Sequence, residues 1–200
     1  MDGAHTHSPI DEALDAADVG DSGRLDELLK HGIDADATNS WGQSLGSISA
    51  LNGHVETTTR LLAAGADPVE PFRCAATNGH NAVLVLFGAY LDAIPKHTLD
   101  DCLPWAAGSG FHDVVRTLLE FGADVNAVTN RGYDATAYAA RGIRDRDQAR
   151  AMLRTLAGAG ADFAHSTQEA IMLYQGDPLR DTARQAVANG ADDEPDSGRA

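Results

Sequence analysis

Apolar positions recur along this chain at helical spacing. The clearest run lies between Gly110 and Val128. There Val114, Val115, Leu118 and Leu119 fall on one side of a helix, and Asp113, Arg116, Thr117 and Glu120 on the other. Gly122 follows where a left-handed residue closes a helix end, and Ala-Asp-Val-Asn leads into a turn. Leu25, Leu28 and Leu29 predict a similar helix over Arg24 to Lys30. Ser8-Pro9-Ile10-Asp11 reads as a helix start, with Ser8 as cap, Pro9 in the first helical position and an acidic first turn. That helix runs through Leu14 and Val19, with Asp11, Glu12, Asp15 and Asp18 on its polar side. Two stretches break the amphipathic rule. Val83-Leu84-Val85-Leu86-Phe87 is apolar all round and calls for burial on every side, under neighbouring elements closed over it or against a second copy of the chain. Arg146, Arg150 and Arg154 line one helix face. They form a solvated face with ion pairs to Asp145 and Asp147, or a site for a carboxylate, a phosphate or an acidic protein segment.

The pattern repeats. Gly53-His54-Val55 leads through Leu61-Leu62 to Gly65-Ala66-Asp67, Gly79-His80 opens another copy, and Gly160-Ala161-Asp162 and Gly190-Ala191-Asp192 close two more. The glycines before the second helices can be set at Gly20, Gly53, Gly79, Gly110, Gly142 and Gly176, in steps of 33, 26, 31, 32 and 34 residues. A Gly-His start, an apolar helix ending Leu-Leu and a Gly-Ala-Asp-Val-Asn close, at a period of about 33, resemble the ankyrin repeat family. The resemblance covers about residues 10–191. It implies an all-α ankyrin-repeat solenoid of about six stacked helix-turn-helix units with short hairpin loops, each burying its core against its neighbours. The domain division that follows is a disordered N-terminus over 1–8, the repeat domain over 9–191 and an acidic disordered tail over 192–200.

Several units depart from the family pattern. Ser44-Leu45-Gly46-Ser47 replaces Thr-Pro-Leu-His, so the link between helices and hairpin should weaken, and Gly46 inside a helix costs about 1 kcal/mol against Ala. The step of 26 leaves only Pro68-Val69-Glu70 before Pro71-Phe72-Arg73-Cys74-Ala75-Ala76, too little for a hairpin. In the fourth unit Pro104 stands where the family has His, and Trp105 stands where the family has a core aliphatic, which predicts core filling, with stacking on a ligand as the other reading. Gly142 to Gly160 is 18 residues where Gly110 to Gly122 is 12, which predicts a lengthened link to the fifth unit's second helix. Thr167 to Gly190, with Glu169 and Met172, reads as a degenerate C-terminal cap.

Charge narrows the choice of partner. The net charge is −15, and the last ten residues contribute −3 of it. Such a field repels nucleic acid and membrane surfaces, and it either speeds encounter with a basic protein partner or keeps an Ala-rich chain soluble. No run of eighteen apolar residues predicts a membrane span, and the first residues carry no basic end or apolar run of a secretory signal. Cys74 and Cys102 read as free thiols in a reducing cytoplasm.

The family resemblance implies binding on a concave side built from hairpin tips and the exposed ends of first helices. Carried over by position, it marks Ser40, Trp41, Gln43 and Asn52 in the second unit, Asn78 in the third and Ser109 in the fourth. In the fifth it marks Asn130, Arg131, Tyr133 and Arg141. Trp41, Arg131 and Tyr133 are the residue types most enriched in interface hot spots, although Trp41 fits equally a side chain lying on its own hairpin. The function implied is a non-enzymatic protein–protein interaction module without cofactor, with a homodimer through Val83–Phe87 as a further possibility. His54 and His80 fall at a family position that bridges repeats, and the eight histidines give no metal spacing. The alternative is an enzyme or small-molecule binder whose polar cleft at the irregular third and fourth units uses Arg73, His97, Asp101 and Trp105.

Overall fold

The computed structural model describes residues 8–163, and these form an all-α array. Ser8 Oγ accepts from the Asp11 amide at 3.1 Å while Asp11 accepts from the Ser8 amide at 3.1 Å. This reciprocal cap opens α1 (Pro9–Val19), and Asp21 caps α2 (Ser22–Lys30). The later pairs are α3 (Leu45–Leu51) with α4 (Val55–Ala63), α5 (Val69–Thr77) with α6 (Asn81–Leu84), α7 (Lys96–Gly108) with α8 (His112–Glu120), and α9 (Ala135–Gly142) with α10 (Arg146–Gly158). First helices stack in the order α1, α3, α5, α7, α9, and second helices in the order α2, α4, α6, α8. The expected sixth unit, with Gly176, and the proposed tail lie outside the described residues, as do residues 1–7.

Neighbouring units are tied by one recurrent device. Gly20 and Gly53 hold left-handed φ values of +78° and +77° in the turn between the two helices of a unit. A Cβ on either would lie 2.6 Å from the ring of the next unit's histidine, His54 or His80. The rings therefore seat on bare backbone, and their Nε2 atoms donate to the carbonyls of Asp18 (2.8 Å) and Leu51 (2.7 Å). Phe111 takes the same seat over Gly79, and Ile143 over Gly110. In those two units apolar contact replaces the hydrogen bond.

The Ser44 to Ser47 segment is tied down where the sequence predicted a weaker link. Ser44 Oγ accepts from the Ser47 amide at 3.2 Å and lies 2.9 Å from Ser47 Oγ, so the pair caps α3 by itself. Gly46 has a packing reason as well: a Cβ there would meet Pro71 Cγ at 2.8 Å, so its absence lets α5 approach α3.

The third unit departs from the expected second helix over Val83 to Phe87. Only the four residues of α6 are α-helical, and the chain continues through 3₁₀ segments at Val85–Ala89 and Leu91–Ala93. The tighter winding turns Val83, Leu84 and Phe87 into the core, leaves Leu86 half-buried and exposes Val85, so an all-apolar run meets three different environments. Phe87 packs edge-on against Phe72 of α5, ring centroids 5.6 Å apart and planes at 88°. The shortened connection before α5 carries no hairpin. Asp67 instead accepts from the Val69 amide at 2.8 Å to open that helix, and its own amide donates to Asp36 at 2.8 Å.

Two further expectations are corrected. Trp105 does not fill the core: it is 51% exposed. Gly142 is not a left-handed turn residue like Gly110 but the last residue of α9. The extra length beyond it goes into a three-residue link and a 13-residue α10, which Asp145 caps by accepting from the amides of Asp147 and Gln148.

Cys102 is buried against α5 at 1% exposure, and burial pushes its thiol up to about 12, against the opposing pull of the Arg73 guanidinium. Burial raises the Cys74 thiol too. Because the folded Cys102 value lies above the unfolded one, the unfolded chain sheds this proton first as pH rises. The contribution is intact below about pH 9 and is lost as pH climbs toward about 12. Urea midpoints should therefore fall between about pH 9 and 11. Cys102→Ala should start from a lower midpoint and show a shallower alkaline decline.

Candidate functional site

Close packing of α7 on α9 builds the most distinctive surface feature. A Cβ on Gly142 would lie 2.2 Å from the Gly108 carbonyl oxygen, and one on Gly108 would lie 3.2 Å from the Tyr138 carbonyl oxygen. Two glycines thus let the C-terminal ends of these helices meet backbone to backbone. Beside the contact an open cleft of about 340 Å³ is left, lined by Trp105 from α7, Ser109 just past its end, Tyr138 and Arg141 from α9, and Arg131 and Tyr133 from the preceding hairpin.

Local chemistry positions each wall. At the hairpin tip Thr129 donates from both its amide and its hydroxyl to the Tyr133 carbonyl at 3.0 Å, and Gly132 takes a left-handed φ of +77°. Asp134, 2% exposed, accepts from the Ala137 amide at 2.8 Å and the Thr136 hydroxyl at 2.6 Å, starting α9 directly behind Tyr133. The ring of Tyr138 lies 5.5 Å from Trp105 and 6.4 Å from Tyr133, the second at 81°. Arg141 places its guanidinium carbon 5.0 Å from the centre of the Tyr133 ring.

A second depression, about 480 Å³, lies between α1 and the first hairpin and includes Ile10, Leu14, Asp15, Ser40, Trp41 and Gln43. Its hairpin is held by Asn39 Oδ1, which accepts from the amides of Trp41 (3.0 Å) and Gln43 (2.9 Å), and Trp41 is 83% exposed. Charge differs between the two ends of the array. Over 8–67 eleven acidic residues face three basic ones, whereas over 131–158 six arginines face three aspartates.

The residues expected at a binding surface therefore divide between two places. Ser109, Arg131, Tyr133 and Arg141 line the α7/α9 cleft, while Ser40, Trp41 and Gln43 line the α1 depression. Asn130 is exposed at the hairpin tip beside Arg131. Asn52 and Asn78 line neither cavity: Asn52 donates to Asp18 of the preceding unit at 3.0 Å, and Asn78 to the Cys74 carbonyl at 2.8 Å. Among the residues of the alternative reading, His97, Asp101 and Trp105 fall four apart on one side of α7, but only Trp105 reaches the cleft. Arg73 is half-buried on α5, 3.5 Å from Glu70. Tyr138, at the centre of the aromatic group, was missed in the sequence, where it stands in an Ala-rich first helix.

The family model described as "Ankyrin repeat" matches residues 100–130, from within α7 to the hairpin that carries Arg131. The chain is 32% identical over 127 residues to "Ankyrin repeat and KH domain-containing protein mask-1" of Caenorhabditis elegans. That alignment takes in 60% of this chain and 5% of the relative's length. No helix among the described residues is long and apolar enough to cross a membrane.

Proposed function

The chain is an ankyrin repeat protein, and on that premise we propose that it holds a protein partner along its row of first helices and hairpin tips, with the α7/α9 cleft as anchor. The observation that carries this reading is the convergence of Trp105, Tyr133 and Tyr138 with Arg131 and Arg141 in one open cleft. Tyr, Trp and Arg are the side chains that most often dominate interface energy, because they offer large contact area with a polar or charged edge. Here the contacts among Trp105, Tyr138, Tyr133 and Arg141 order these side chains before binding, so less rotamer entropy is lost on association. The chain-wide charge of −15 favours encounter with a partner of basic overall character and disfavours nucleic acid and anionic lipid. The free thiols of Cys74 and Cys102 fit work in a reducing compartment such as the cytoplasm.

The test compares the wild-type chain with a Trp105→Ala, Tyr133→Ala variant, each immobilised and exposed to host extract, after circular dichroism has verified the variant's helical content. Both side chains are at least partly exposed, so folding should survive. Proteins held by the wild type should be lost from the variant. Equal capture by both would rule out the cleft as anchor.

A further inference from the structure

We infer that the α7/α9 cleft receives an acidic side chain, together with the apolar residue next to it, from an extended segment of the protein partner. This deepens the proposal above and rests on the cleft being the anchor.

The first argument is where the positive charge is left unanswered. Arg24, Arg60, Arg73, Arg116 and Arg150 each pair with a carboxylate of their own chain. Arg131 and Arg141 pair with no carboxylate among the described residues, although the chain carries 30 acidic residues against 15 basic ones; Arg144 and Arg146 form no ion pair there either, but of the four only Arg131 and Arg141 line the cleft. Arg141 lies over the Tyr133 ring, which orders the guanidinium plane while leaving its N–H edge available, the arrangement that receives a carboxylate with two parallel hydrogen bonds. Arg131 adds a second cation from the hairpin side.

The second argument is shape. At about 340 Å³ the cleft is at the small end of ligand-sized cavities, about 300 to 1,000 Å³, which suits one or two side chains rather than a folded edge. Trp105 and Tyr138 supply the apolar wall for the neighbouring residue.

The third argument separates a carboxylate from a phosphate. A phosphate is commonly held by free amides at a helix N-terminus, but at α9 the Asp134 side chain already takes the Ala137 amide and stands directly behind Tyr133. A singly charged carboxylate is repelled less by it than a phosphate dianion. Field direction agrees, because the acidic first half of the array repels an acidic segment and the arginine-rich region over 131–158 attracts it.

The experiment uses fluorescein-labelled Gly/Ser peptides carrying Glu-Phe, Gln-Phe, Lys-Phe or phosphoserine-Phe at their centre, titrated with the full chain and read by anisotropy. The Glu-Phe probe should bind about tenfold tighter than Gln-Phe, and tighter still than Lys-Phe. Arg141→Gln should erase the Glu over Gln preference. Arg131→Gln, at an exposed hairpin tip where folding is not at stake, should reduce it. Trp105→Ala should weaken both probes alike. Equal binding of Glu-Phe and Gln-Phe, preference for Lys-Phe or phosphoserine-Phe, or no binding up to about millimolar concentration would each overturn the inference. Loss of all probes with Trp105→Ala, but no Glu preference in the wild type, would leave the cleft as anchor and remove only the acidic specificity. If binding occurs and neither Trp105→Ala nor Arg141→Gln alters any probe, both readings fail together.

Discussion

Gly142→Ala should destabilise the chain by about 3 kcal/mol, lowering the thermal midpoint by roughly 6–12 °C for a domain of this size. The sign is the informative part. In a helix the exchange of Gly for Ala ordinarily gains about 1 kcal/mol. At Gly142 the new methyl would lie 2.2 Å from the Gly108 carbonyl oxygen, 2.8 Å from its carbonyl carbon and 2.9 Å from its Cα. All three are backbone atoms, so no side-chain rotation relieves the clash, and α7 and α9 must separate. Separation would also carry Trp105 away from Tyr138, so peptide binding should fall with stability. Gly158 supplies the control. It too is a final helix residue, in α10, but a Cβ there meets nothing within 4 Å. Gly158→Ala should therefore be neutral or stabilising, and equal effects at the two positions would refute the close approach.

Features set by local chemistry were the ones legible in the sequence. The Ser8 cap and the amphipathic face of α8 follow from residues within one repeat, while the seating of His54 and His80 between units was legible only through the family resemblance. Gly142 shows why reading stopped there. By period it matched Gly110, a left-handed turn residue, but a glycine retained for backbone freedom and one retained for close approach look identical in a chain. Only the contact with Gly108, 34 residues earlier, separates them. The core-filling reading of Trp105 failed for the same reason: its period places it at a core position, yet the Gly108–Gly142 contact shapes a cleft whose wall it becomes. Tyr138 was missed because its partners, Trp105 and Tyr133, come from another helix and a hairpin. Arg131 and Tyr133 were legible as hairpin-tip residues, since an Asn-Arg-Gly-Tyr sequence between two helices specifies a tight turn wherever it is placed.

The third unit offers the second large effect, because the side chains that hold it are few. A four-residue α6 followed by 3₁₀ turns has no helical stability of its own, so it must be kept in place by what it buries. Val83, Leu84 and Phe87 are all fully buried, and Phe87 is the largest of them, set edge-on against Phe72. Phe87→Ala should cost about 3–5 kcal/mol, against a change within about 0.5 kcal/mol for Val85→Ala two residues earlier. The consequence should extend beyond a lower midpoint. Buried residues of α1, α2 and part of α3 and α4 form one cluster, and most of those from α5 to α10 form another, which reaches back to Ala50 of α3 and Leu62 of α4. In a linear array, neighbour contacts alone couple such clusters, and among second helices that coupling passes through α6, which touches both α4 and α8. Weakening it should turn one unfolding transition into two. Trp41 and Trp105 report on opposite sides of the junction, so variants retaining one tryptophan each, unfolded in urea, should show coincident fluorescence transitions in the parent and separated ones with Phe87→Ala. Coincident transitions in both would mean that the first-helix row alone carries the coupling, through α3 and α5, and that the irregular half of the third unit is dispensable to it.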